Sequence, residues 1–114
     1  MTFTTFNDEN KRIARSEIET VPTPCGIRAL FLVQALCFEL GFSAPNHRGV
    51  LYHRKNQHLK IDLQMPKDRL LIYIRNYDYF DLFYWPQGDE KLGPTINKLL
   101  IKIREVYTVH ETNN

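Results

Sequence analysis

The most constraining stretch of the chain is residues 58–65, His-Leu-Lys-Ile-Asp-Leu-Gln-Met. Leu59, Ile61, Leu63 and Met65 alternate without a break with His58, Lys60, Asp62 and Gln64. Successive side chains of a strand point to opposite faces, so this run reads as a strand with one apolar and one polar face. Such a strand needs neighbours to complete a sheet and a hydrophobic layer against one side of it.

The flanking segments supply the neighbours. Residues 50–54, 70–75 and 79–85 carry the same two-residue period. Arg54-Lys55-Asn56-Gln57 has the length and composition of a hairpin loop. Met65-Pro66-Lys67-Asp68 breaks the alternation and turns the chain, and Asn76-Tyr77-Asp78 turns it again. Connections this short between successive strands imply an antiparallel meander of four strands.

Helical signals bracket the strands. Thr23-Pro24 offers an N-cap and an N1 proline, and Gly41 a C′ glycine with Phe42 placed to fold back. A helix is therefore expected over 24–40. It is apolar almost all round, which points to a central core helix covered on most sides, with a homodimer seam as the alternative. Beyond the Pro-Gln-Gly-Asp-Glu loop at 86–90, a second helix is expected from Gly93-Pro94 to about residue 110. Ile96, Leu99, Leu100, Ile103, Val106 and Tyr107 make its apolar face, and Lys98, Lys102, Arg104 and Glu105 cover the opposite side. Ile101 falls on that polar side, where it reads as a lone exposed residue, with a contact point for a partner as the alternative. Residues 1–22 read as a weakly ordered arm or short helix. The expected fold is a single α+β domain over 1–114: a two-layer sandwich with helices on one face of the sheet.

Composition bounds the function. The chain has 114 residues, 43% hydrophobic and 25% charged, enough for one core. A formal net charge of +2 permits an acidic protein or nucleic acid as partner and demands neither. The longest apolar run, 27–42, is interrupted by Arg28, Gln34 and Glu39, so no membrane partner is expected. The opening residues, MTFTTFNDENKR, lack the pattern of a secretory signal. Cys25 and Cys37 fall on the expected helix, separated by about 18 Å along it. A disulfide needs Cα atoms within about 7 Å, so both read as buried thiols in a reducing compartment, the cytoplasm.

Six aromatic residues lie between Tyr77 and Trp85. An unpaired carboxylate is costly to bury, so Asp81 is expected to face solvent. By alternation, Phe80, Leu82 and Tyr84 then point inward, and Tyr79, Phe83 and Trp85 outward. The expected partner-binding surface is Tyr73, Arg75, Tyr79, Phe83 and Trp85, with the 86–90 loop at its rim. Tyr, Trp and Arg are the types enriched at interface hot spots. Two other occupants compete for this face: the N-terminal arm with Phe3 and Phe6, and single-stranded nucleic acid stacked on the rings. The nucleic-acid set would be His53, Arg54, Lys55, Lys60 and Arg75, opposed by Asp62, Asp78, Asp81, Asp89 and Glu90.

Catalytic signals are sparse. His53 and His58 flank the first hairpin, and with Lys60 they form the minimal set for metal-independent RNA cleavage: base, acid and stabilising cation. His47, His53 and His58 lack a metal-ligand spacing, and neither cysteine belongs to a CxxC pair. Gly26, Gly41, Gly49, Gly88 and Gly93 are scattered rather than arranged as a phosphate loop, so no cofactor or metal is expected. The reading is a small non-enzymatic protein-binding domain of inhibitor, immunity or regulatory type. A nucleic-acid-binding domain is the alternative, and a small RNase the third.

Overall fold

The structure, a computed structural model, describes residues 21–87 and 90–112. Residues 1–20 of the expected arm, with Phe3 and Phe6, and Gly88 and Asp89 of the 86–90 loop lie outside the described residues. The elements run α1 (Gly26–Glu39), β1 (Val50–Tyr52), β2 (Leu59–Gln64), a single 3-10 turn (Pro66–Asp68), β3 (Leu71–Asn76), β4 (Tyr79–Tyr84) and α2 (Leu92–Thr112). The strands form an antiparallel sheet in the order β1-β2-β3-β4. This is the α+β sandwich expected from the alternation, with one helix before the meander and one after it.

The core lies between the sheet and the helices. Leu59, Ile61 and Leu63 of β2 and Ile72 and Ile74 of β3 are buried together with Leu51 of β1. Against them pack Ile96, Leu99, Ile103 and Val106 of α2, spaced three or four residues apart as one helix face requires. Asn76, buried at the end of β3, donates from Nδ2 to the carbonyls of Val106 (3.1 Å) and Tyr107 (3.0 Å). Those bonds fix the height at which α2 crosses the sheet. Ile101 stands exposed on the far side of α2, as its helical position dictates.

The first helix differs from its expected form in two ways. It starts at Gly26, with Cys25 in the N-cap position and no side-chain cap. Thr23 is used elsewhere: its N–H (2.9 Å) and Oγ1 (2.6 Å) both donate to the Glu90 carbonyl, and Oγ1 lies 3.3 Å from Thr95 Oγ1. Leu92 N–H donates to the Val21 carbonyl at 2.8 Å, so this segment clamps the start of α2 instead of opening α1. The second difference is coverage. Only Ala29, Val33, Leu36 and Cys37 of α1 are buried, whereas Ile27, Phe31 and Phe38 are exposed. α2 packs on β3 and β4, and α1 meets the core along one stripe.

The C-terminus of α1 follows its sequence signal. Phe42 N–H donates to the Cys37 carbonyl (3.0 Å) and Gly41 N–H to the Phe38 carbonyl (3.1 Å), the two bonds of a Schellman motif. Gly41 sits at φ +101, and a Cβ there would lie 2.9 Å from His53 Nε2. Gly49 also has positive φ (+85), but a Cβ there meets only the Leu63 carbonyl oxygen, at 3.4 Å. Both alanine variants should lose the roughly 1–2 kcal/mol that left-handed backbone costs an L-residue. Gly41→Ala should lose more, because the His53 ring must also move. Urea denaturation of the two variants measures the difference; equal losses would mean that the ring contact has no energetic weight.

Candidate binding face of the sheet

The register defines the sheet face turned away from the helices. Tyr52 pairs with Lys60, Lys60 with Arg75, and Arg75 with Phe80, forming one row across all four strands. The next row is Val50, Asp62, Tyr73 and Leu82, and the third is Gln64, Leu71 and Tyr84. A shallow cleft of about 780 Å³ runs over these rows, lined by Tyr52, Lys60, Asp62, Tyr73 and Arg75 among others. Phe80 and Tyr84 flank it on β4, 53% and 64% exposed. In the first row the Lys60 ammonium lies 5.6 Å from the centroid of Tyr52, and the Arg75 guanidinium 5.7 Å from that of Phe80. Both are cation–π contacts.

The facing expected for β4 is corrected by this register. Ile74 pairs with Asp81 and Ile72 with Phe83, so Tyr79, Asp81 and Phe83 share the helix side with the core isoleucines. Phe80, Leu82 and Tyr84, expected inward, point outward with Tyr73 and Arg75. Trp85 follows in phase: it is 4% exposed, and its Nε1 donates to the Pro24 carbonyl at 2.8 Å. Phe83 is half-buried against the core, and Tyr79 remains exposed near the rim. The premise that fails is an unpaired Asp81. Lys102 of α2 donates to Asp81 Oδ2 at 3.0 Å, and Leu82 N–H donates to Oδ1 at 2.8 Å. The lysine hydrogen bond and the Leu82 amide hold the Asp81 carboxyl below its usual range, and the same pairing raises Lys102. Because β4 is an edge strand, the carboxylate stays partly solvated, so facing the helix layer costs it little. The residue that signals this partner in the sequence is Lys102, whose helical position reads as part of a solvated face.

The basic run divides between two places. Lys60 and Arg75 share the outer row. His53 belongs to the end of α1: its ring stands edge-on to Phe42 at 5.2 Å and tilts against Tyr107 at 6.3 Å. Its Nδ1 accepts from Lys55 N–H at 3.2 Å, which leaves the ring proton on Nε2, facing the Leu40 carbonyl. Burial depresses its pKa below the ordinary 6.5; the Leu40 carbonyl opposes the shift, and the Arg54 and Lys55 charges add to it. Arg54 donates from Nε to the Gly41 carbonyl (3.2 Å) and from Nη2 to the Phe38 carbonyl (3.3 Å), with its guanidinium 5.1 Å from the Phe38 ring centroid. A cation there answers the partial negative charge of a helix C-terminus. Lys55 is exposed beside it. His58 stacks on Tyr77 at 3.8 Å. Both nitrogens of His53 are engaged, one by the Lys55 amide and one by the Leu40 carbonyl, while Lys60 projects from the opposite sheet face, so the structure does not bring His53, His58 and Lys60 together.

Of the two thiols, Cys37 is buried, and burial pushes its pKa up to about 12. Cys25, expected buried, is exposed because it precedes α1 instead of lying inside it. Among the described residues no group of three His, Cys, Asp or Glu side chains is placed to hold a metal ion, and no helix is long and apolar enough to cross a membrane. Compared with known proteins, the chain matches no family model, no curated protein and no solved structure.

Two outcomes test this geometry. Trp85→Ala should cost about 3–5 kcal/mol of stability, whereas Trp85→Phe, which keeps an aromatic ring but not the Pro24 bond, should cost about 1 kcal/mol. Chemical denaturation followed by circular dichroism measures both, and a silent Trp85→Ala would return the ring to the surface. His53 sets a pH dependence. Its folded pKa lies below 6.5, so the unfolded chain binds its proton more readily. The His53 contribution is complete above 6.5 and is lost as pH falls through the depressed folded value. The urea midpoint should therefore drop between about pH 7 and pH 5 in the wild type, and this drop should be smaller in His53→Gln. An equal drop in both would remove His53 as its source.

Proposed function

We propose that this protein works by binding another protein through the outer face of its sheet, as a small non-enzymatic inhibitor, immunity or regulatory domain of the cytoplasm. The observation that supports it best is the composition of the open face. Tyr52, Tyr73, Phe80 and Tyr84 surround two cations on a rigid strand scaffold, opposite the face that the helices cover. Tyrosine and arginine dominate interface hot spots because each combines a large contact area with a polar handle. Tyr73 and Arg75 of the expected surface remain in the set; Phe80, Leu82 and Tyr84 replace Tyr79, Phe83 and Trp85.

Protein is favoured over nucleic acid by the details of the same face. Asp62 lies in the middle row beside Lys60, so the face carries two cations interrupted by a carboxylate. The rings nearest the cations, Tyr52 and Phe80, already carry a charge over them. A strand of nucleic acid needs open rings and a continuous cationic track. His53 and Arg54, which would extend that track, are held at the end of α1.

The test is affinity capture from native lysate by the full chain, with and without nuclease. A nuclease-resistant partner should be retained by the wild type and by Ile101→Ala on α2. Tyr73→Ala and Phe80→Ala should each weaken binding by about 2 kcal/mol, the hot-spot scale, with the fold intact by circular dichroism. Capture that disappears on nuclease treatment, or that survives both face variants, contradicts the proposal.

A further inference from the structure

We propose that the Tyr52–Lys60–Arg75–Phe80 row recognises carboxylate, so that the outer face takes an acidic polypeptide segment of the partner. This deepens the protein-binding reading and rests on it.

The starting point is the register. Lys60 and Arg75 are directly opposite each other on β2 and β3. Side chains in that relation start with Cβ atoms only about 5 Å apart, and like charges there destabilise a sheet. Among the described residues neither forms an ion pair. Lys60 turns to the Tyr52 ring and Arg75 to the Phe80 ring, away from each other along the row. The carboxylate nearest to hand is Asp62, which lines the same cleft. It is engaged with the Gln64 amide, whose Nε2 donates to Oδ1 at 2.6 Å, and is ion-paired with neither cation. Asp81 and Lys102 do form an ion pair, but on the other side of the sheet.

Two cations on adjacent strands, each held over an aromatic ring, make a receptor for an anion. Arg75 keeps N–H groups that the ring contact does not consume, and a carboxylate accepts such groups in pairs. Lys60 adds a point charge from the neighbouring strand. The hydrophobic surroundings, Tyr73, Leu82 and Tyr84, suit the apolar residues on either side of an acidic one. The row is two cations wide, matching one or two carboxylates better than a run of phosphates. Binding a carboxylate would also offset the like-charge repulsion between Lys60 and Arg75, which no ion pair offsets in the free protein.

The experiment uses the full chain labelled with ¹⁵N and three probes. These are a short peptide alternating Glu with Leu, the same peptide with Gln in place of every Glu, and oligothymidylate of equal length. The acidic peptide should perturb the amides of Lys60 and Arg75 and the Arg75 side-chain N–H. It should bind at least about tenfold more tightly than the Gln peptide, the scale of one charged hydrogen bond. Lys60→Gln and Arg75→Gln should each remove that preference. Each should also raise the thermal midpoint of the free protein at low salt, a gain that high salt abolishes. A lowered midpoint would mean that the two cations stabilise the fold, and would overturn the inference. Equal binding of both peptides on this face overturns carboxylate recognition but leaves protein binding in place. No perturbation by the acidic peptide, with nuclease-resistant capture intact, has the same meaning. Tighter binding of oligothymidylate at the same amides, falling steeply with salt, overturns both.

Discussion

Lys102 reaches from α2 to the carboxylate of Asp81 at 3.0 Å, and with that contact β4 can turn its odd-numbered residues toward the helices. Strand geometry then leaves no further choice. Tyr79, Phe83 and Trp85 go with Asp81, and Phe80, Leu82 and Tyr84 go the other way. The pair is too exposed to drive this on its own, since surface ion pairs contribute about 0–1 kcal/mol. Trp85 contributes more. Burying a ring of 150–250 Å² is worth roughly 4–6 kcal/mol at about 25 cal/mol per Å². Its Nε1 is satisfied by Pro24, so no polar penalty offsets the gain. Trp85 supplies the energy, and Lys102 removes the one objection to that phase.

The same choice makes the working face. With Phe80, Leu82 and Tyr84 outward, β4 extends the rows begun by β1, β2 and β3, and the sheet presents aromatic rings at both margins with cations between them. In the opposite phase Asp81 would lie on that face and add a second carboxylate to Asp62 near the cations. The ion pair on the helix side thus keeps a carboxylate away from the cations on the other. The end of α1 makes a similar division. His53 and Arg54 leave the sheet and lock onto the Schellman turn, so the basic run of the hairpin separates into a structural part and a surface part.

Period and chain reversal are legible in the sequence. The uninterrupted alternation of residues 58–65 specifies β2, and the short turns specify the antiparallel order. Gly41 and Phe42 mark the end of α1, because only glycine takes φ +101 without strain and an apolar C″ residue packs back on the helix. What alternation does not carry is phase: YFDLFYW reads as a strand in either orientation, and the counter-charge for Asp81 lies 21 residues away in another element. Thr23 misleads for a related reason. A threonine before a proline looks like a local cap, yet its partners, Glu90 and Thr95, are distant in sequence. Tyr73 and Arg75 are legible as surface because β3 is anchored in phase by Ile72 and Ile74. The cation pair is not, since adjacency of Lys60 and Arg75 depends on register between two strands.

The phase of β4 is the claim on which the binding face stands, and the chain contains a single tryptophan that reports it. Steady-state fluorescence of the full chain, with acrylamide as quencher, reads the environment of Trp85 directly. A helix-facing Trp85 gives emission well to the blue of the urea-unfolded chain and a quenching slope far below it. Emission and quenching equal to those of the unfolded chain, in a protein that is folded by circular dichroism, would place Trp85 in solvent, reverse β4 and remove the face described above.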